Sequence, residues 1–315
     1  MPSLAQVQSD NASWVLPTTY IPVFIVVGGT SGLGQGILEA LGRHTHGRAN
    51  LIIVGRNRAA AERSFAKFPA PEGSGITHEF VECDLASIAA VKRMCSSLLS
   101  RFSRIHLLVM TAGALTMQSA VTAEGLQASV ALLYYARWTL INELLPALVA
   151  AKEAGEDARV FSVLNAGMGK RIDFDDLGLK KRMAPGSLSV GTLVQAAASI
   201  ETYLDFMVMA YAHRNPSIPF VHASPGTVRT PVWDRSSSWT IRIFGMLMKF
   251  LGGREVKIIE QCGEHQLYSI RHMPPGASWR GPDGDDMGHE KVCGTIEDAD
   301  RLWAHMVVVV EAIRP

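Results

Sequence analysis

The sequence has almost no excess of charge of either sign, since 30 lysines and arginines stand against 29 aspartates and glutamates. It therefore lacks the broad basic field that binding to nucleic acid requires, and we expect no nucleic-acid partner. Its longest apolar runs fall well short of the roughly 20 residues that a membrane helix needs. Residues Met1 to Tyr20 show no basic-then-apolar signal pattern. We predict a cytoplasmic protein with no integral membrane segment.

Cysteine is also scarce, with four residues in the whole chain and no CxxC spacing. This pattern favours reduced thiols in an intracellular protein. The acidic stretch 173–176 does not follow a calcium-loop pattern, and the histidines at 44 and 46 have no cysteine or carboxylate set beside them. We therefore predict no metal site.

What the sequence does have is a regular alternation of apolar runs and helix-compatible stretches. The predicted strands are Val23–Val27, Leu51–Val54, His78–Glu82, Ile105–Met110, Arg159–Val163 and Pro219–Ala223. The predicted helices lie near residues 33–44, 58–67, 87–102, 123–151 and 192–213. Strand runs without polar alternation suit strands that are covered on both faces, and the alternation predicts an α/β fold with a doubly wound parallel sheet.

No internal repeat and no long linker interrupts this pattern, so residues 1–315 are predicted to form a single domain. The stretches Asp173–Val190 and Pro274–Gly288 are rich in charge, proline or glycine and are predicted to be loops. Thr295 and the acidic residues after it resemble a capping box, which predicts a last helix running to about Ile313.

A glycine-rich turn joins the first predicted strand to the first predicted helix. Glycines at 28, 32 and 34 let the backbone turn sharply, approach a diphosphate and pack a helix closely on a strand. The helix N-terminus then offers free N–H groups and a partial positive charge to the anion. This pattern predicts a dinucleotide site, and the residues assigned to it are Gly28, Thr30, Ser31, Gly32, Leu33 and Gly34.

The end of the second predicted strand indicates which dinucleotide is bound. Arg56 and Asn57 follow this strand, at the place where an acidic residue usually binds the ribose hydroxyls of NAD. An arginine there favours the 2′-phosphate of NADP instead. We therefore predict NADP(H) as the cofactor, with Arg56 and Asn57 among its ligands.

Two further strand ends carry candidate cofactor residues. Asp84 and Leu85 follow the third strand, where the aspartate can accept a hydrogen bond from the adenine amino group and the leucine can cover the ring. Ala112 and Gly113 follow the fourth strand, and their small size lets a cofactor lie across the strand ends.

In their order and spacing, these motifs resemble the short-chain dehydrogenase/reductase family over roughly residues 21–231. The resemblance implies a Rossmann-type three-layer α/β/α fold, NADP(H), hydride transfer at the C-terminal ends of the strands, and a homodimer. It also implies that a loop near residue 225 holds the nicotinamide carboxamide, through Pro225, Gly226, Val228 and Thr230. Within the family, Ala131–Arg137 resembles a divergent branch from fungal natural-product pathways, which implies a role in secondary-metabolite biosynthesis.

The family's catalytic tyrosine and lysine are missing, because no Tyr-x-x-x-Lys occurs in the sequence. In the family the tyrosine exchanges a proton with the substrate oxygen, and the lysine lowers its pKa from about 10. Neither residue type occurs in Ser189–Glu201, where the resemblance places them. The family's serine position falls on Leu164-Asn165 and its asparagine position on Leu133.

Tyr134, Tyr135, Arg137 and Asn165 are the candidate replacements. Tyr134 and Arg137 are three apart and share a helix face, so Arg137 could stabilise a developing oxyanion or lower the pKa of a tyrosine. Asn165 could polarise a carbonyl. The open alternative is that the tyrosines pack in the core or an interface, that Arg137 forms a salt bridge, and that Asn165 is a turn residue.

Two other segments are weaker candidates. Glu201, Tyr203 and Asp205 lie on the later helix, where charged residues are expected to face water. The apolar stretch Trp239–Leu251 carries two cations. The resemblance makes it a lid over an apolar substrate, within a C-terminal lid and capping segment at 231–315; a dimer interface and a membrane surface are the alternatives.

We predict an NADP(H)-dependent oxidoreductase that acts on a small, largely apolar metabolite through unusual catalytic residues. Hydride transfer remains feasible if another residue donates the proton, or if the substrate is already activated, for example as an iminium. The alternatives are a non-redox isomerase, dehydratase or cyclase on the same scaffold, and a cofactor-binding protein without catalysis.

Overall fold

The computed structural model describes residues 2–113, 120–228 and 256–315. At its centre lies a parallel sheet with the strand order β3-β2-β1-β4-β5-β6-β7. The strands are β1 (Val23–Val27), β2 (Asn50–Gly55), β3 (His78–Glu82), β4 (Leu107–Met110), β5 (Arg159–Val163), β6 (Pro219–Ala223) and β7 (Gly276–Arg280).

Helices precede the sheet and connect its strands. They are α1 (Leu4–Ala12), α2 (Gly32–Thr45), α3 (Arg58–Phe65), α4 (Ile88–Leu99), α5 (Ala128–Val130), α6 (Ala136–Glu153), α7 (Val190–Arg214), α8 (Ile259–Arg271) and α9 (Ile296–Glu311). A five-residue π-helical turn, Ala131–Tyr135, joins α5 to α6. Such turns recur at functional sites, and this one carries two of the candidate tyrosines.

Two hydrophobic cores, one on each face of the sheet, make the three layers. Residues of α2, α3 and α8 pack on one face, and residues of α4, α6, α7 and α9 pack on the other. The five residues of β1 are all buried, as expected for a strand covered on both sides. The predicted doubly wound α/β/α fold is confirmed. Its strand order reverses between β1 and β4, which is where such sheets bind ligands.

The prediction of a loop over Pro274–Gly288 is wrong in part, because β7 occupies Gly276–Arg280 and pairs with β6. This edge strand reads Gly-Ala-Ser-Trp-Arg and has no apolar run, although Trp279 is 2% exposed. Helices α1 and α8 were also not predicted. The predicted last helix is present as α9, with Thr295 accepting a hydrogen bond from the Asp298 N–H.

Two expectations fall outside the described residues, namely the role of Thr230 and the apolar stretch Trp239–Leu251. Within the described ranges, none of the helices combines the length and the apolar character needed to cross a bilayer.

A contact between glycines brings α8 against α2. A Cβ on Gly36 would lie 2.4 Å from the carbonyl oxygen of Ile259, and a Cβ on Gly263 would lie 2.3 Å from the carbonyl oxygen of Gly36. Only glycine allows this approach. As a result, the start of α8 lies beside the first turns of the helix that follows the glycine-rich loop.

The last helix packs along α7 and contacts α6 at Trp138. The Trp303 ring lies 5.3 Å from the Trp138 ring and 4.8 Å from the Tyr211 ring, between ring centroids. The Arg214 guanidinium stacks on Trp303 at 4.2 Å. Lys92 Nζ donates to the carbonyl oxygens of Val310 and Ile313, and so holds the end of α9.

Candidate active site

The glycine-rich turn has the geometry of an anion site. Gly28 has φ +90°, and a Cβ there would lie 2.7 Å from the Ala112 backbone nitrogen. A Cβ on Gly34 would lie 2.4 Å from the Gly28 carbonyl oxygen, so α2 packs directly on the turn. Ser31 precedes α2 without a side-chain capping bond, and the first turn of α2 has no acidic residue. The first N–H groups of α2 are thus available to a diphosphate.

Arg56 lies at the end of β2, next to this turn. Its side chain is exposed, and it forms no ion pair with the residues that the structure describes. Asn57 is the N-cap of α3 and accepts a hydrogen bond from the Ala60 N–H at 3.0 Å. The guanidinium is therefore free to reach a phosphate, whereas the Asn57 side chain already has a structural role.

The neighbouring strand ends complete this edge. Asp84 is exposed and accepts the Ala86 N–H at 3.1 Å, while Leu85 is 6% exposed and packs in the core. Gly113 is exposed beyond β4, and a Cβ on it would lie 3.3 Å from Leu133 Cδ2. Thr111 donates through its hydroxyl to the Val27 carbonyl oxygen at 3.2 Å, which ties β4 to β1.

The loop after β6 lies on the same edge. The Lys257 N–H donates to the Thr227 carbonyl oxygen at 3.0 Å, and Val228 forms a parallel bridge with Lys257. Gly226 has φ +67°, and a Cβ there would lie 2.9 Å from Pro282. Pro225, Gly226 and Val228 are therefore held in place by the segment before α8 and by the loop after β7.

The structure places both candidate tyrosines in the core. Tyr134 and Tyr135 are each 2% exposed, and their rings lie 5.9 Å apart. The Tyr135 hydroxyl lies 2.9 Å from His305 Nε2, on α9. Burial raises the pKa of Tyr134 well above 10 and raises that of Tyr135 as well. Among the described residues, no cation lowers the pKa of either phenol in the way that a lysine would.

Arg137 lies beneath the edge as a buried cation. Its Nη1 donates to the Leu133 carbonyl oxygen at 2.6 Å and its Nη2 to the Val163 carbonyl oxygen at 3.1 Å. The guanidinium thus joins the π-helical turn to the end of β5. Burial lowers its pKa to about 10, against the opposing effect of the Glu201 charge. It remains protonated at neutral pH.

Asn165 lies just after β5 and binds a buried carboxylate. Its backbone N–H donates to Glu201 Oε2 at 3.0 Å, and its Nδ2 donates to Glu201 Oε1 at 3.1 Å. Glu201 and Asp205 are 4% and 0% exposed, so the expectation that they face water is wrong. From Ser199 to Ala212, helix α7 lies between the sheet and α9, and both of its faces are covered there.

A histidine joins these two carboxylates. His222 of β6 is 0% exposed, with Nδ1 at 2.6 Å from Asp205 Oδ1 and Nε2 at 3.4 Å from Glu201 Oε2. Trp279 Nε1 of β7 also donates to Asp205 Oδ1, at 2.7 Å. Burial lowers the His222 pKa, but the two carboxylates outweigh it and raise the value to about 9. At neutral pH the His222 ring is therefore protonated and carries a positive charge.

Comparison with known proteins identifies the family. Residues 22–145 match the KR domain model. The chain is similar to the oxidoreductase andH of Emericella variicolor, with 31% identity over 271 residues, which cover 85% of this chain and 74% of that protein. It is also similar to the short-chain dehydrogenase/reductase SAT2 of Stachybotrys chartarum, with 28% identity over 91% of this chain and 82% of that protein. The chain is a short-chain dehydrogenase/reductase.

A solved structure supports the same fold for this short-chain dehydrogenase/reductase. The 3-ketoacyl-(acyl-carrier-protein) reductase from Brucella melitensis, in complex with NADH, aligns with a TM-score of 0.57 at 19% identity. The alignment covers 84% of this chain and 97% of that chain. Family membership makes this protein an oxidoreductase.

This short-chain dehydrogenase/reductase brings the predicted cofactor residues that lie within its described ranges, all except Thr230, to one edge of the sheet, together with Asn165. Tyr134 and Tyr135 lie beneath that edge. The pairing of His222 with Asp205 and Glu201 was not predicted from the sequence. The available signals were one histidine inside an apolar strand and two carboxylates four apart on a helix without a polar face.

Proposed function

We propose that this protein is an NADP(H)-dependent oxidoreductase that acts on a small, largely apolar metabolite in a secondary-metabolite pathway. The observation that carries the proposal is the open N-terminus of α2 beside Arg56, which forms no ion pair with any residue of the described ranges. The pathway assignment rests on the resemblance of residues 131–137 to the fungal branch, and similarity to fungal oxidoreductases supports it.

The residues of this edge fit the cofactor. The glycines leave room for a diphosphate, the free N–H groups of α2 would hold it, and Arg56 would pair with a 2′-phosphate. The loop Pro225–Val228 would hold the carboxamide of the nicotinamide. When bound, the dinucleotide supplies or accepts the hydride at this edge.

The protein's own side chains contribute positioning more than proton transfer. The raised pKa values of the buried tyrosines make them poor proton donors at neutral pH. Beneath this edge, Arg137 donates hydrogen bonds to the carbonyl oxygens of Leu133 and Val163 and so holds the two segments together. Asn165 is exposed at the edge itself. Close approach of donor and acceptor then supplies the larger share of the rate enhancement.

Calorimetry with NADPH and NADH tests the cofactor assignment. We expect Arg56→Ala to weaken NADPH binding about tenfold or more and to leave NADH binding unchanged, because the arginine meets only the 2′-phosphate. Arg63→Ala, an exposed arginine on α3, is the matched control and should alter neither affinity. Absence of binding to both dinucleotides would refute the proposed function.

A further inference from the structure

The side-chain amide of Asn165 has a fixed orientation. Its nitrogen and its backbone N–H both donate to the single carboxylate of Glu201. A carboxylate only accepts hydrogen bonds, so the amide nitrogen must face it. Two cationic side chains lie near this carboxylate, namely the His222 ring, with Nε2 at 3.4 Å from Glu201 Oε2, and the Arg137 guanidinium.

The amide oxygen consequently lies on the other branch of the side chain. Within the described residues it has no hydrogen-bond partner, and Asn165 is exposed. Asn165 follows β5 at the carboxyl edge of the sheet, which is the edge formed by the cofactor turn and Gly113. Glu201 uses one of the two hydrogens on Nδ2, so the free groups of this amide are the acceptor Oδ1 and the second N–H of the nitrogen that Glu201 holds.

Buried partners keep Glu201 from turning away. Its side chain is 6% exposed and lies between Asn165 and His222. His222 is in turn bound to Asp205, which also accepts from Trp279. These contacts connect α7 to β6 and β7, and each member other than Asn165 is more than nine-tenths buried. With Arg137 included, two cations balance two anions.

We propose that Glu201 is a positioning residue that turns the Asn165 amide oxygen toward the substrate. The site then selects a substrate whose polar group donates a hydrogen bond, a hydroxyl or an N–H, over one that only accepts. This inference rests on the proposed function, because it takes this edge as the substrate site.

The test compares six-membered ring probes on the NADPH-loaded protein. Cyclohexanol and piperidinium carry O–H and N–H donors, while tetrahydropyran offers only an acceptor; none of the three takes a hydride from NADPH. Affinities are read by NMR titration of the labelled protein, including the Asn165 side-chain NH₂ signal. We expect cyclohexanol to bind about tenfold more tightly than tetrahydropyran, since an unmatched acceptor loses about 1 kcal/mol or slightly more. Comparison of the two donor probes separates hydroxyl from N–H substrates.

Glu201→Gln should abolish this preference, because a glutamine amide can donate as well as accept and so frees Asn165 to rotate. Glu153→Gln, an exposed glutamate at the end of α6, is the matched control and should keep the tenfold ratio. Asn165→Leu removes the amide itself, together with its side-chain bond to Glu201, and should bring the ratio to about one, even if Glu201→Gln does not fold.

Three results would overturn the inference: tighter binding of tetrahydropyran, equal affinities in the unmodified protein, or a ratio that persists in Asn165→Leu. Absence of saturable binding by every probe would also overturn it, because this edge would then not be the substrate site. Failure of the proposed function has a separate signature, the absence of NADP(H) binding in calorimetry.

Discussion

His222 should make the stability of the fold depend on pH between 6.5 and 8.5. Burial lowers its pKa, but Asp205 and Glu201 outweigh burial and raise it from 6.5 to about 9. A group whose folded pKa exceeds its unfolded value stabilises the fold fully below the unfolded pKa and loses that contribution as pH rises through the folded one. The shift corresponds to about 3 kcal/mol, of which about 2 kcal/mol is lost between pH 6.5 and 8.5.

Other perturbed groups act outside this window. Burial lowers the pKa of four further histidines, so their effect on stability is confined to pH below about 6.5; they are His78, His106, His265 and His305. Burial raises the pKa of Cys83 to about 11 and that of Cys262 to about 12. Because a thiol in the unfolded chain ionises near 9, these cysteines destabilise the fold only above that pH.

Urea unfolding at half-unit steps of pH measures the effect. The unmodified protein should lose about 2 kcal/mol over the window, and His222→Gln should show a flat profile there. The ring ¹⁵N signals of His222 in the native protein report its titration directly and need no variant. A flat profile in the unmodified protein, or an equal slope in His222→Gln, would refute the reasoning.

Two further predictions concern the packing of α8. Gly36→Ala should destabilise the fold by about 1–3 kcal/mol in urea unfolding, because the new Cβ would meet the Ile259 carbonyl. Gly191→Ala is the control and should not destabilise the fold, because its Cβ would meet only the Ser189 hydroxyl, at 3.7 Å. Equal effects of the two substitutions would contradict the packing argument. Glu264 has a pKa of about 2. Burial raises this pKa, but hydrogen bonds from His44, Arg43 and Asn11 lower it by more than burial raises it. Because its folded pKa is lowered, Glu264 stabilises the fold above pH 4.5, and this stabilisation is lost as the pH falls toward 2. The contribution to the free energy of unfolding is about 2 kcal/mol, after allowance for solvent screening at the partly exposed Arg43. Glu264→Gln should remove this acid dependence in unfolding followed by circular dichroism, Glu260→Gln should retain it, and identical acid profiles would count against the assignment.

Local pattern made most of the sheet predictable. Strands such as β1 and β5 are short apolar runs, and the glycine-rich turn after β1 fixed both the sheet edge and the cofactor position. Strand β7 could not be recognised because an edge strand with glycine, serine and arginine has no such run. It takes strand form from its pairing with β6.

The polar part of the site was not predictable for a different reason. His222 meets Asp205 and Trp279, which lie 17 and 57 residues away in the chain, and no local pattern encodes such pairings. Glu201 and Asp205 were assigned to solvent because charged residues usually occupy a polar helix face. From Ser199 to Ala212, helix α7 is covered by the sheet on one side and by α9 on the other, so this part of the helix offers no such face.

The position of α9 constrains how copies of this chain can associate. Trp303 already occupies the surface between Trp138 and Tyr211, and Lys92 anchors the end of the helix. A second subunit approaching this face of α7 would first have to displace an intramolecular helix together with its aromatic contacts. Association through this face of α7 would therefore require α9 to leave it.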